Sequence, residues 1–152
     1  RLQGDWSSDV CSSDLVTQVT LVDSIEQPLD TIASGSEVRI AIELNSHVRL
    51  ESPVVHVKLE TMTGELVWAT STQRGTATLR VLDGPARALL QMPNVPLAEG
   101  TYYVSVVITD STGGTEYDHC QHWAKLHVSG GQTNDSGIVS MPSAWSIGRQ
   151  KT

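Results

Sequence analysis

A two-residue beat constrains this chain more than any other feature of its sequence. Val38, Ile40, Ile42 and Leu44 alternate with Arg39, Ala41 and Glu43. An extended segment with that pattern carries branched apolar side chains on one face and charge on the other. Val55, Val57 and Leu59 repeat it against His56, Lys58 and Glu60, Tyr102, Val104, Val106 and Ile108 form a third run, and Ala124, Leu126 and Val128 a shorter fourth. β-Branched residues are dense throughout. No stretch of a dozen residues holds a helical i, i+3, i+4, i+7 stripe free of Gly or Pro.

Turn chemistry falls between the runs. Ser34-Gly35 precedes the first, Met62-Thr63-Gly64-Glu65 links two strands as a tight hairpin, and Asp83-Gly84-Pro85 separates Thr76–Leu82 from Ala86–Met92. Glu99-Gly100 opens the Tyr102 strand and Asp110-Ser111-Thr112-Gly113-Gly114 closes it. Short strands at this spacing predict an all-β, antiparallel β-sandwich of about seven to nine strands.

The first residues are set apart. Asp5 to Leu15 back-translates into a sequence that resembles a common short-read sequencing adapter, so residues 1–15 are expected to be a non-native tail, with the native sequence starting near Val16 as part of a longer protein. That expectation removes Trp6 and Cys11 from the chemical inventory and leaves Cys120 without an internal disulfide partner. A lone thiol tilts the compartment toward a reducing one. The sandwich is then expected over 16–129, a polar Gly/Ser-rich linker over 130–137, and a C-terminal strand and tail over 138–152. The apolar Ile138–Trp145 segment needs a surface: its own sheet, or another chain that receives it as a swapped strand.

Charge excludes some functions. The net charge is −7, with no cluster of Lys and Arg for a phosphate backbone, so nucleic acid is not an expected partner. No apolar run reaches the ~18–20 residues that span a bilayer. No Gly-x-x-x-x-Gly-Lys-Ser/Thr occurs, so no P-loop cradles a nucleotide here.

Several stretches, in order, resemble the C-terminal domain of Wzt-type proteins, the ATP-binding subunits of ABC transporters that export O-antigen polysaccharide. Leu21-Val22-Asp23 to Ser34-Gly35-Ser36-Glu37-Val38 is similar to the family's opening. Pro53–Val57 through Gly64-Glu65-Leu66-Val67-Trp68-Ala69-Thr70-Ser71-Thr72 is similar to its central hairpin, and Pro93-Asn94-Val95-Pro96-Leu97-Ala98-Glu99-Gly100-Thr101-Tyr102 to its most recognisable stretch. Gly137-Ile138-Val139-Ser140-Met141-Pro142 with Trp145 resembles its closing segment. The resemblance implies an immunoglobulin-like sandwich, a homodimer with a swapped C-terminal strand, and non-catalytic recognition of the exported glycan's non-reducing end. It also implies coupling to a membrane permease through an ATPase domain outside this sequence, at the cytoplasmic face of the bacterial inner membrane. His47, in an expected short loop, adds nothing distinctive.

Sugar binding on a sandwich uses aromatic faces and planar polar groups, each hydrogen bond netting only ~0.5–1.5 kcal/mol. The candidate carbohydrate-binding residues are Tyr103, Trp68, His56, Lys58 and Thr70, which share one surface if the sheet follows hairpin order; the plainer reading makes Trp68 core and His56 with Lys58 solvated. The Tyr117–Trp123 stretch, with His127 beyond, is read as a polar loop with Trp123 as an anchor. His119, Cys120 and His122 offer zinc-type ligands without a fourth, and adjacent His119 and Cys120 cannot easily both turn inward. No orienting acid marks a Cys–His nucleophile, and Asp110, Glu116 and Asp118 are read as loop acids rather than a glycosidase pair. Neither an enzyme nor a cofactor site is expected. The rivals are a secreted carbohydrate-binding or adhesin-type module and an immunoglobulin-like spacer.

Overall fold

A computed structural model describes residues 11–74, 79–130, 137–141, 143 and 145–148. Among these residues eight strands form two sheets. β1 (Val16–Val22), β3 (Val38–Glu51) and β6 (Val81–Met92) make a three-stranded antiparallel sheet in the order β1-β3-β6. β2 (Thr31–Ala33), β8 (Glu116–Ser129), β7 (Gly100–Thr109), β4 (Val54–Thr61) and β5 (Leu66–Ser71) make the second, in the order β2-β8-β7-β4-β5. Short β2 runs parallel to β8, a departure from the all-antiparallel expectation. Among the described residues no helix is long and apolar enough to cross a membrane.

The core lies where the alternation placed it. Val38, Ile40, Ile42 and Leu44 from β3 meet Val55, Val57 and Leu59 from β4 and Val104, Val106 and Ile108 from β7, all buried. Each such side chain contributes about 1.5–3 kcal/mol on burial. Tyr102 is buried too, its hydroxyl donating to the Ala98 carbonyl at 2.7 Å. Trp123 packs half-buried against this core.

Three segments read as turns or loops are strand. Asp83-Gly84-Pro85 runs inside β6, with Gly84 opposite Ser46 and Pro85 opposite Asn45. Gly84 makes this possible by adopting φ +87°, a conformation costly for residues with a Cβ. His47 lies within β3, in the irregularity between Ser46 and Leu50. Tyr117–Trp123 belongs to β8, which absorbs a bulge opposite Val104–Val106 with His122 at φ 52°. Such bulges add residues to one strand without ending it.

Asp118 is therefore no loop acid. It is fully buried, and its carboxylate accepts from the backbone N–H of Ser13 and Val16 at 2.8 Å each, and of His119 at 2.9 Å. Cys120 does not stand alone either: residues beside Cys11 run back along β8, with Ser12 N–H bonded to the His119 carbonyl, and Cys11 and Cys120 form a disulfide. The compartment argument from a single thiol falls with that pairing.

Beyond β8, residues 131–136 of the expected linker lie outside the described residues. On the far side Val139 bridges Leu97, Ala98 N–H donates to the Ile138 carbonyl, and Ser140 N–H donates to the Pro96 carbonyl. The C-terminal segment thus pairs with its own chain in this structure.

Candidate functional site

The sequence-derived site divides between two surfaces, and one residue divides it. Next to the Thr61–Glu65 turn, Glu60 pairs with Leu66; a simple hairpin would then set Leu59 against Val67 and Lys58 against Trp68. Instead Leu59 pairs with Trp68, Lys58 with Ala69 and Val57 with Thr70. Val67 is the extra residue of a bulge, and a one-residue slip moves every later side chain to the opposite face. Trp68 and Thr70 consequently share the inner side of the sheet with Leu59 and Val57. His56, Lys58 and Tyr103 stay on the outer side. The expectation of one shared surface is corrected on this point.

On the inner side, the edge strands β5 and β6 do not meet, and the sheets gape between them. Trp68 stands in this opening with 40% of its surface exposed. The groove has a volume of about 440 Å³, with Trp68, Leu59 and Leu90 along it, exposed Asn94 at its rim, and Val139 from the C-terminal segment as part of one wall. A concave, mainly apolar recess with a few planar polar groups is the usual form of a small-ligand site. Gln91, across from Arg39, turns its amide to the other face of β6, where Nε2 donates to Glu37 at 3.1 Å. Thr70 lines a neighbouring recess of about 270 Å³, with Ser71, Thr72 and Arg74. Sequence reading found Trp68 and Thr70 but missed Asn94. Asn94 sits in the Pro93–Tyr102 stretch already singled out, so that signal was present.

The outer side is a polar network around central strand β7. Tyr103 stacks on His122, with ring centroids 4.6 Å apart and planes 19° apart. His122 N–H donates to Ser105 Oγ at 2.8 Å, and Ser105 Oγ donates to Glu60 Oε1 at 3.1 Å. Glu60 Oε1 lies 3.3 Å from His122 Nε2, near enough for an ion pair when the ring is protonated. Lys125 Nζ sits 5.7 Å above the Tyr103 ring. Beside this cluster His56 Nε2 bonds to Thr109 Oγ1 at 2.9 Å. Its pKa is lowered from the ordinary histidine value, first by burial and then by the neighbouring charge of Lys58.

Ser, His and Glu are the types of a hydrolytic triad, but their roles here differ. The hydroxyl of Ser105 is buried, accepts from a backbone N–H and donates to the carboxylate; the imidazole does not hold it. That arrangement braces a surface rather than activating a nucleophile. His119 and Cys120 lie on opposite faces of β8, His119 facing outward beside Glu116 and Cys120 inward, so the zinc-type trio is not brought together.

The comparisons with known proteins agree with this architecture. No curated protein sequence matches the chain significantly. Among solved structures, the crystal structure of the C-terminal domain of Wzt matches over 91% of this chain and 84% of that one, with a TM-score of 0.72 at 15% identity. The CARDB domain of a Pyrococcus furiosus protein in complex with di-metal ions is 11% identical over 77% of this chain and 96% of that one, with a TM-score of 0.43, too weak a likeness to bear on the fold. The sequence model of the Wzt C-terminal domain matches residues 15–141. With that match spanning most of the sequence, the chain belongs to the Wzt C-terminal domain family.

Proposed function

We propose that this domain binds a bacterial polysaccharide without altering it, selecting the chain for export by an ABC transporter. The observation that supports the reading best is the inter-sheet groove. It sets a half-open indole beside the Asn94 side chain in a recess walled in part by Val139. An indole face suits the C–H surface of a sugar, and an amide suits its hydroxyls. A concave recess suits a short stretch of glycan better than a flat sheet does. In the parent protein the ATPase, the permease and the cytoplasmic face of the inner membrane would supply the setting. A homodimer formed by exchange of the Ile138–Ser140 segment fits its pairing to Leu97, since the same bonds form whichever chain supplies them.

The test is calorimetric titration of the whole chain with a panel of bacterial O-polysaccharides and their terminal fragments. Saturable binding to one glycan and to its end fragment, lost in Trp68→Ala, is the expected result. Absence of binding across the panel by a folded protein would overturn the reading in favour of a structural spacer.

A further inference from the structure

The opening between the sheets continues past Trp68. Leu90 on β6 lines both the Trp68 groove and the recess beside Thr70, so the two form one cleft along the gap between β5 and β6. Side-chain size steps down along both strands. On β6, Met92 and Leu90 lie across from Val38 and Ile40, and the next inward position, across from Ile42, is Ala88. On β5 the indole of Trp68 gives way to Thr70, across from Val57. These two small residues leave about 270 Å³ open above Ile42, Val55 and Val57. Alone, that space falls below the ~300–1,000 Å³ of an ordinary ligand site; joined to the groove, it lies within that range.

The chemistry changes along the cleft as well. Leu59, Leu97 and Val139 wall the Trp68 end, whereas Thr70, Thr72 and Arg74 line the far end. Thr72 Oγ1 accepts from the Val55 backbone N–H at 3.2 Å, which leaves its own proton to donate. Arg74 is exposed, and among the described residues no carboxylate lies within ion-pair distance of it. Its guanidinium offers several N–H donors in one plane, an arrangement that suits neighbouring sugar hydroxyls. Two residues of strand advance about 7 Å. Thr70 sits that far beyond Trp68, and Arg74 lies further along the same line.

We infer that the Thr70–Arg74 recess is a second sugar subsite, so that the domain reads at least two linked sugars laid along β5. This rests on the reading that the ligand is a polysaccharide. One sugar stacks on Trp68, and the next lies in the recess. There Thr70, Thr72 and Arg74 meet its hydroxyls, and Ala88 and Leu90 pack against its C–H edge. Ala88 sets the specificity, because its small side chain is what admits a ring at that point.

The test is a ladder of chain lengths. The whole chain is titrated with mono-, di-, tri- and tetrasaccharides prepared from mannan, rhamnan and galactan. Binding is read by calorimetry, and for weak members from the Trp68 indole N–H signal in NMR spectra. Affinity for the matching glycan should rise about tenfold beyond the monosaccharide, the scale of one or two net hydrogen bonds, and then level off. Ala88→Leu, which fills the recess, and Arg74→Ala should each remove most of that gain and leave monosaccharide affinity unchanged. Ala88→Ser should leave the whole ladder as it was. Because Arg74 is exposed, its variant keeps the test decisive even if Ala88→Leu does not fold. A ladder without any gain, with Trp68→Ala still abolishing binding, overturns the second subsite and leaves the glycan reading intact. A gain that survives both Ala88→Leu and Arg74→Ala does the same. No binding to any member by a folded chain sinks the glycan reading itself, and the inference with it.

Discussion

Trp68 lies directly across from Leu59, one residue along β4 from Lys58, so that indole and ammonium belong to opposite faces of one hairpin. This makes the contributions of the two surfaces separable. Trp68→Ala is expected to lower affinity for a bound polysaccharide by about tenfold or more, equivalent to at least ~1.4 kcal/mol. Because the indole is only partly buried, the accompanying loss of fold stability should stay near ~1 kcal/mol. Calorimetry and urea denaturation of the same variant separate these effects.

Asp118 should be a point of structural weakness. Its carboxylate receives three backbone N–H groups in a fully buried position. In Asp118→Ala those donors lose their acceptor, at a cost of about 2–3 kcal/mol. A fall in the urea midpoint at unchanged slope measures it. A variant as stable as the parent would show that the segment around Ser13 and Val16 finds other acceptors.

His56 gives the stability a pH dependence of known sign. Its folded-state pKa lies below the ordinary value of 6.5, so between those two values the unfolded chain binds more protons than the folded one. Stability contributed by the neutral imidazole is complete above about pH 6.5 and is lost as pH falls through that window. His56→Gln should flatten this part of the curve, read as the difference between parent and variant melting temperatures from pH 7.5 down to about 5. Identical slopes in the two proteins would contradict it.

Gly84 tests the strand that replaced an expected turn. Nothing lies within 4 Å of a Cβ built there, yet its φ is +87°. Gly84→Ala therefore meets conformational cost without a clash, and should lose about 1–2 kcal/mol. A neutral substitution would mean that β6 relaxes to an ordinary strand at this point.

The alternating runs gave away the core because a period of two has one meaning when one face is buried: every apolar residue of Val38–Leu44 and Tyr102–Ile108 assigned inward is buried. What the sequence concealed were places where one extra residue changes the beat. Val67 hides in an unbroken run of strand-forming residues, and its bulge reassigns Trp68 and Thr70. The irregularity near His122 turns an apparent polar loop into β8. Asp-Gly-Pro reads as a turn from local propensity, whereas pairing with Asn45 and Ser46 carries the chain straight through. Local chemistry proposes such features, and long-range register decides them. The partner of Cys120 was hidden for another reason: reading residues 1–15 as a non-native tail set Cys11 aside, and the possible pair with it.

Val139 belongs both to the wall of the Trp68 groove and to the bridge that holds the C-terminal segment on Leu97. A ligand resting on Val139 and the docking of that segment are consequently linked equilibria. Whatever factor docking adds to the ligand's affinity, occupancy must return to docking. Loading the groove would thus tighten the closing segment against the domain, making the chain's own end a reporter of whether cargo is present.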